Sequence, residues 1–332
     1  MALLSSAVAT VVSALFAYRL LRRYVDRRRT PATLAWGISL TLFSLASLML
    51  LVGVAVGWSS WSFRTFYLLG AVLNVPWLAL GSIAVNARRR PVNLVTGAVA
   101  LAVAALSVRP ALGDEPALWW PSVALAGALG VALVTTRGAR LTRLAAGVVA
   151  TFSVVAGVLV ATADLTAPLA TTGLPEGREL FPLLVRGTAV AGNAVGATLV
   201  VVSALASSAH VVWRRPAADE VEVFRTIGRD RSYADALSRW VFSGRRGARG
   251  VGNVVRGNLL IAAGVGIAAA GGLLSFLGDT TGHAIALAVG VVVMYLGFVR
   301  STRPVEDTRA VRAADRTAVG TTVPGSTTSP TV

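Results

Sequence analysis

Cysteine and lysine are both absent from this sequence, and carboxylates are scarce: 15 acidic residues stand against 31 basic ones, every one of them arginine. Without cysteine the chain can form no disulfide, thiolate nucleophile, zinc–thiolate centre or cysteine-ligated iron–sulfur cluster. Without lysine it can form no Schiff base, which excludes retinal and pyridoxal chemistry, and no GK[ST] phosphate loop. Only two histidines are present. His210 is expected near the inner end of one apolar segment and His283 at the outer start of another, so a haem held by both is excluded by depth. No cofactor and no metal are expected.

Charged residues make up only 14% of the chain, about half the usual share for a soluble domain. Hydrophobic residues make up 55%, and the mean hydropathy is +0.70. A hydrocarbon layer about 30 Å thick needs roughly 20 apolar helical residues to cross it. Nine segments approach that length: Ala2–Tyr18, Pro31–Trp58, Thr65–Val85, Pro91–Val108, Trp119–Thr136, Leu144–Ala163, Thr188–Trp213, Asn258–Leu277 and His283–Val299. The fold class expected is therefore all-α, a polytopic transmembrane helical bundle of about nine spans.

The arginines set the orientation. With the N-terminus outside and the spans alternating, 27 arginines fall inside and four outside (Arg64, Arg109, Arg178 and Arg186). The acids divide nine to six, giving +18 inside and −2 outside, which sum to the net +16. The positive-inside rule then predicts an inner-membrane protein with its C-terminus cytoplasmic. The first segment reads as a reverse anchor, because Arg19, Arg22 and Arg23 follow its apolar stretch instead of preceding it. Trp58, Trp61, Trp119 and Trp120 fall at the outer boundary, and Trp36, Trp213 and Trp240 near the inner one, where amphipathic indoles prefer to lie.

Four regions are expected: a seven-span module over 1–213, a basic cytoplasmic segment over 214–257, a two-span hairpin over 258–300 and a disordered tail over 301–332. In the cytoplasmic segment, Ser232 and Asp235 fit a capping box, and Tyr233, Leu237, Trp240 and Val241 then recur on one helical face. Arg229, Arg231, Arg245, Arg246 and Arg249 surround that face, so together with Trp240 they are the residues expected to face anionic lipid headgroups. Gly250-Val251-Gly252 reads as a flexible entry to the next span and lacks the GxGxxG spacing of a nucleotide loop. Small-xxx-small pairs such as Gly53/Gly57 and Gly192/Gly196 permit close helix packing, within the chain or between copies.

Ionisable groups deep in a membrane mark proton and ion pathways. On this layout none lies at the centre of any span, which counts against ion-coupled transport and charged-filter channels. What the interior holds instead is Asn74-Val75-Pro76-Trp77 in the third span. Pro76 removes a backbone hydrogen bond and predicts a kink. Asn74 and the Trp77 indole are then placed to satisfy each other, the freed carbonyls or a ligand. Asn193, beside Gly192 and Gly196, lies at a similar or shallower depth, with Tyr67 nearer the outside. Asn74, Pro76, Trp77, Asn193 and Tyr67 are accordingly the candidate ligand-binding residues; no catalytic residue is assigned. Glu176 and Glu179, with Asp164 and Arg178 nearby, form the one outer cluster with acid/base potential.

Arg64-Thr65-Phe66-Tyr67-Leu68-Leu69-Gly70, running on through Asn74-Val75-Pro76-Trp77-Leu78 to Gly81, together with Asn258-Leu259-Leu260-Ile261-Ala262-Ala263-Gly264, resembles uncharacterised integral membrane proteins of GC-rich actinobacteria. The resemblance implies the helical membrane architecture and imports no activity. The seven-span block is also similar in layout to seven-helix sensor modules of bacterial signalling proteins. The leading expectation is a non-enzymatic sensor-like or assembly-scaffold subunit. The alternatives are a permease for a small neutral or lipidic compound, and then a lipid- or glycan-modifying enzyme. Expected partners are membrane lipids with anionic headgroups and a membrane-protein partner or second copy of the chain, with no nucleic acid.

Overall fold

A computed structural model describes residues 2–26, 30–113, 115–169, 175, 177–213, 249–276 and 280–302. The described residues form an all-α helical bundle, 91% helical, with no strand among them. Among the described residues, eight helices are long and apolar enough to cross a membrane: Pro31–Val56, Ser60–Asn86, Arg90–Ala111, Pro116–Thr135, Gly138–Thr162, Leu183–Val211, Val255–Gly272 and Thr281–Val299. They correspond to the last eight of the nine segments expected. The first segment is also helical, as α1 (Ala2–Asp26), but it is not among the eight.

Local chemistry explains where these helices begin and end. Thr30 caps α2 (Pro31–Val56), its Oγ1 accepting from the Thr33 N–H at 3.4 Å, with Pro31 at the first helical position, where a missing N–H costs nothing. Gly57, at φ 96°, ends that helix in a conformation unfavourable to any residue with a Cβ. A reciprocal capping box between Ser59 and Ser62 starts α3 (Ser60–Phe66). Pro91 and Pro116 open α5 (Arg90–Ala111) and α6 (Pro116–Thr135) in the same manner as Pro31.

The third span is not a plain α-helix around Pro76. Between α3 and α4 (Asn74–Asn86) the chain widens into a π-helical segment, π1 (Tyr67–Leu73), in which the Asn74 N–H reaches back to the Leu69 carbonyl. Proline offers no N–H to the carbonyl four residues before it, and its ring crowds that carbonyl. A widened turn just ahead of the proline accommodates both effects, and the helix runs on unbroken. The seventh expected span repeats the device: α9 (Leu183–Val190) passes through π2 (Ala191–Val195) into α10 (Gly196–Trp213). Such π segments are rare and concentrate at functional positions.

Around these two spans pack α2, α6 and α7 (Gly138–Thr162), with a short helix, α8 (Gly177–Leu180), at the end opposite the arginine clusters. One buried cluster, built on Leu80, Ile83, Leu129, Leu133, Val149 and Leu199, fills the half towards the arginine-rich end. A second, around Phe63, Tyr67, Val72, Phe181 and Val185, fills the other half. Trp77 and Phe152 border both.

The final two helices, α11 (Arg249–Phe276) and α12 (Thr280–Thr302), form the expected hairpin, packed on α10 and on α1. Helix α11 begins ahead of Asn258, so Gly250 and Gly252 lie within a helix and are not the flexible entry their sequence suggested. Arg249 is the first residue of that helix; Arg229, Arg231, Trp240, Arg245 and Arg246, with the amphipathic helix expected there, lie outside the described residues, as does most of the tail. Some of the glycines serve intramolecular packing, while at Gly57 nothing lies within 4 Å of a Cβ. A Cβ on Gly264 would meet the Gly290 carbonyl oxygen at 2.6 Å, and one on Gly53 the Trp58 indole at 2.4 Å.

Candidate functional site

Where π1 and π2 meet, the two backbones touch. The Val72 carbonyl is the one Pro76 leaves without its N–H, and it faces Gly192: a Cβ added to Gly192 would lie 2.3 Å from that oxygen. A Cβ on Gly196 would lie 3.0 Å from the Val75 carbonyl carbon and 3.1 Å from the Pro76 nitrogen. The glycines are therefore what lets the proline-bearing span and the π2 span approach this closely. Across the same contact, Asn193 Nδ2 donates to the Ala71 carbonyl at 2.7 Å. Widening at π1 exposes carbonyls that an ordinary helix would use internally, and an amide from the facing π segment takes one of them.

The structure thus brings Pro76 and Asn193 together at one crossing, but the other candidates turn away from it. Asn74 does not bond to Trp77. Its Oδ1 and its backbone carbonyl accept from the Ser39 hydroxyl on α2, at 2.7 and 2.9 Å. The Trp77 indole N–H donates to Ser153 Oγ on α7 at 3.2 Å, and Ser153 in turn donates to the Val149 carbonyl at 2.7 Å. These two side chains fasten the third span to its neighbours on either side.

Tyr67 belongs to an aromatic group at the end away from the arginine clusters. Its ring lies 4.6 Å from that of Phe181, which stacks on Phe63 at 5.5 Å. Gly177 packs onto the Tyr67 ring so closely that a Cβ there would come to 2.3 Å. Arg64, one turn further out, donates through Nη1 to the Val160 and Ala161 carbonyls at 2.5 and 3.1 Å, closing the C-terminal end of α7. Thr166 holds the following loop down, with its N–H on the Leu180 carbonyl and its hydroxyl on that of Glu179. Of the acids expected outside, Glu179 is exposed and lies 4.0 Å from Arg178, a weak surface pair. Glu176 lies outside the described residues.

Asn193 differs from the other polar groups at this depth. It lies ten residues into its span, about 15 Å from the start, and it is exposed on the bundle surface. Its Nδ2 is fixed on Ala71, while its Oδ1 accepts no hydrogen bond from the described residues. An acceptor held in place without a donor, in a region without water, is a group with unspent affinity.

A second polar layer, near the arginine-rich end, has no counterpart among the sequence candidates. Asn86 Nδ2 donates to the Ser82 carbonyl at 3.1 Å and to Ser203 Oγ at 3.3 Å. Asn93 Nδ2 donates to the Ala87 carbonyl at 3.1 Å. The i, i+4 spacing of Ser203 and Ser207 on one face of α10 was the available signal, as was Asn86 at the end of an apolar run.

Compared with models of known families, with curated proteins and with solved structures, the chain matches none of them.

Proposed function

We propose that the protein is a non-enzymatic, sensor-like subunit of the cytoplasmic membrane, in which the π1–π2 crossing receives a neutral, lipid-soluble molecule bearing a hydrogen-bond donor. The observation that carries this reading is Asn193: an exposed amide at mid-span whose Nδ2 is anchored and whose Oδ1 is open to a donor arriving through the lipid. The strong excess of arginine on one side supports a cytoplasmic location for that side.

A receptor also needs an element with two arrangements that the ligand distinguishes. A π segment is such an element, since reversion to α-helix shifts the register by one residue. A ligand that engages Asn193 competes with, or reinforces, the clasp on Ala71 and so biases that equilibrium. The packing of Asn74 and Trp77 against Ser39 and Ser153 favours this reading over a permease route through the Asn74–Trp77 corner. That route would have to break both bonds.

Diacylglycerol, neutral and carrying one hydroxyl donor, is a suitable probe. Titrated as mixed micelles into the full chain and followed by native mass spectrometry, it is expected to bind wild type at one molecule per chain. Asn193→Leu, which removes the acceptor, is expected to lose that binding. Equal retention by both proteins would refute the proposal, as would no binding to either across a series of neutral hydroxyl- and amide-bearing lipids.

A further inference from the structure

The turn between α4 and α5 carries three consecutive arginines, Arg88, Arg89 and Arg90, and they do not behave alike. Arg88 is exposed. Arg89 folds back against the bundle, half-buried, and its Nη1 donates to Ser207 Oγ at 2.6 Å and to Asn86 Oδ1 at 3.4 Å. The groups that hold it are themselves held. Asn86 is tied to Ser82 and Ser203, and Asn86, Ser203 and Ser207 are 4%, 2% and 3% exposed.

Both acceptors that hold this guanidinium among the described residues are neutral. Among the described residues no carboxylate pairs with it, and its Nε and Nη2, which carry three further N–H donors, have no acceptor. A cation drawn into a polar recess without a counter-charge is a costly arrangement unless an anion completes it. The remaining Nε/Nη2 edge of an arginine is the fork that meets a phosphate through two parallel hydrogen bonds.

The surroundings add charge of the same sign. The Gly138 N–H donates to the Ala87 carbonyl at 2.7 Å, the carbonyl that also takes Asn93, and so the turn before α7 is pinned beside the turn before α5. That contact sets Arg137, next to Gly138, close to Arg88, next to Ala87; both are exposed. Cations at the end of a membrane span stand at the depth of the lipid phosphates.

We infer that Arg89, presented by Asn86 and Ser207 and flanked by Arg88 and Arg137, is a binding site for a phosphate group, supplied by an anionic phospholipid headgroup or by free phosphate. The site is separate from the mid-span crossing and does not depend on the function proposed for it.

The test measures binding of phosphatidylglycerol to the full chain in mixed micelles, with phosphatidylcholine as the neutral reference and inorganic phosphate as competitor. Wild type is expected to hold one phosphatidylglycerol above the background. Arg89→Gln is expected to weaken that binding ~10- to 100-fold, the range for loss of a charge-assisted pair. Arg143→Gln, an exposed inner arginine on α7, should leave it within about twofold. Competition by millimolar inorganic phosphate identifies the free anion as a ligand; retention of the lipid in its presence identifies the headgroup. Should Arg89→Gln fail to fold, Ser207→Ala removes the tether but keeps the charge, and it is expected to weaken binding several-fold. Wild-type affinity in either folded variant, or equal losses in Arg89→Gln and Arg143→Gln, would overturn the inference.

Discussion

Gly192→Ala adds a single methyl group at the crossing of π1 and π2, and its consequence follows from the geometry. The new Cβ would stand 2.3 Å from the Val72 oxygen. A carbon and a carbonyl oxygen rest comfortably at about 3.3–3.6 Å, so the two spans would have to separate locally by about 1 Å. Both partners are backbone, and no side-chain rotation can relieve the contact. Overpacking of this kind costs ~1–3 kcal/mol, and a rigid backbone contact belongs at the upper end. Alanine recovers about 1 kcal/mol of helix propensity, leaving a net loss of roughly 1–2 kcal/mol. Gly147→Ala is the matched control, since nothing lies within 4 Å of a Cβ there and only the propensity gain applies. At ~2–4 °C per kcal/mol for a chain of this order of size, the thermal midpoints of the two variants should differ by about 5–10 °C, Gly192→Ala being the lower. Thermal unfolding in mild detergent, followed by intrinsic tryptophan fluorescence, measures this directly. A Gly192→Ala midpoint equal to or above that of Gly147→Ala would show that the spans are not in backbone contact at Val72.

Trp77→Phe keeps the ring and deletes the donor to Ser153, so a loss of about 1 kcal/mol is expected, and a double-mutant cycle with Ser153→Ala should be clearly non-additive. Additive losses would mean that the hydrogen bond contributes nothing. Arg64→Ala uncovers the Val160 and Ala161 carbonyls at the end of α7, and limited proteolysis should cut the loop after Ala163 several-fold faster than in wild type; unchanged cleavage would argue that the cap is incidental. Because the native chain has no cysteine, orientation can be read from single substitutions without a background. Arg88→Cys should react with an impermeant maleimide only from the cytoplasmic side and Trp61→Cys only from the outside, and the reverse pattern would invert the topology. Gly192→Ala combined with Arg89→Gln should deviate from additivity by more than about 0.5 kcal/mol if the crossing and the inner polar layer are coupled through α4 and α10; strict additivity would mean that they act independently.

The spans were legible because a membrane imposes a length and a polarity that few other constraints mimic, and eight of the nine apolar segments are helices able to cross one. Asn74, Pro76, Trp77 and Asn193 stood out for the same reason, as polar or helix-breaking residues in apolar runs. What they bond to was not legible. Ser153 does satisfy its hydroxyl on the preceding turn of its own helix, as serines in helices often do, and only the register between helices decides that it also accepts from Trp77 and that Ser39 donates to Asn74. Neither π segment has a compositional signature. One forms ahead of a proline and the other beside a glycine pair, and each makes sense only once the two spans are in contact. Arg89 was concealed in a different way. A strong orientation bias accounts for inner arginines in bulk and so removes the reason to ask whether one of them points inward.

The crossing and the inner polar layer share their supports, which decides how each can move. Helix α4 runs from Asn74, at the end of π1, to Asn86, in the inner layer, and α10 runs from Gly196, at the end of π2, past Ser203 and Ser207. The distance along α4 is about 18 Å, with no second interruption in either helix. A one-residue change of register in a π segment is a rotation of about 100° for the helix that follows it. Asn86 reaches Ser203 from one of these helices to the other, and Arg89 bridges both through Asn86 Oδ1 and Ser207 Oγ. Neither helix can turn relative to its partner without breaking one of those bonds. The network at the arginine-rich end therefore ties together the same two spans that carry Asn193 and Ala71. Coupled movement of this kind predicts that a change of register at Asn193 releases Arg89, and the additivity of Gly192→Ala with Arg89→Gln is the measurement that separates it from independence.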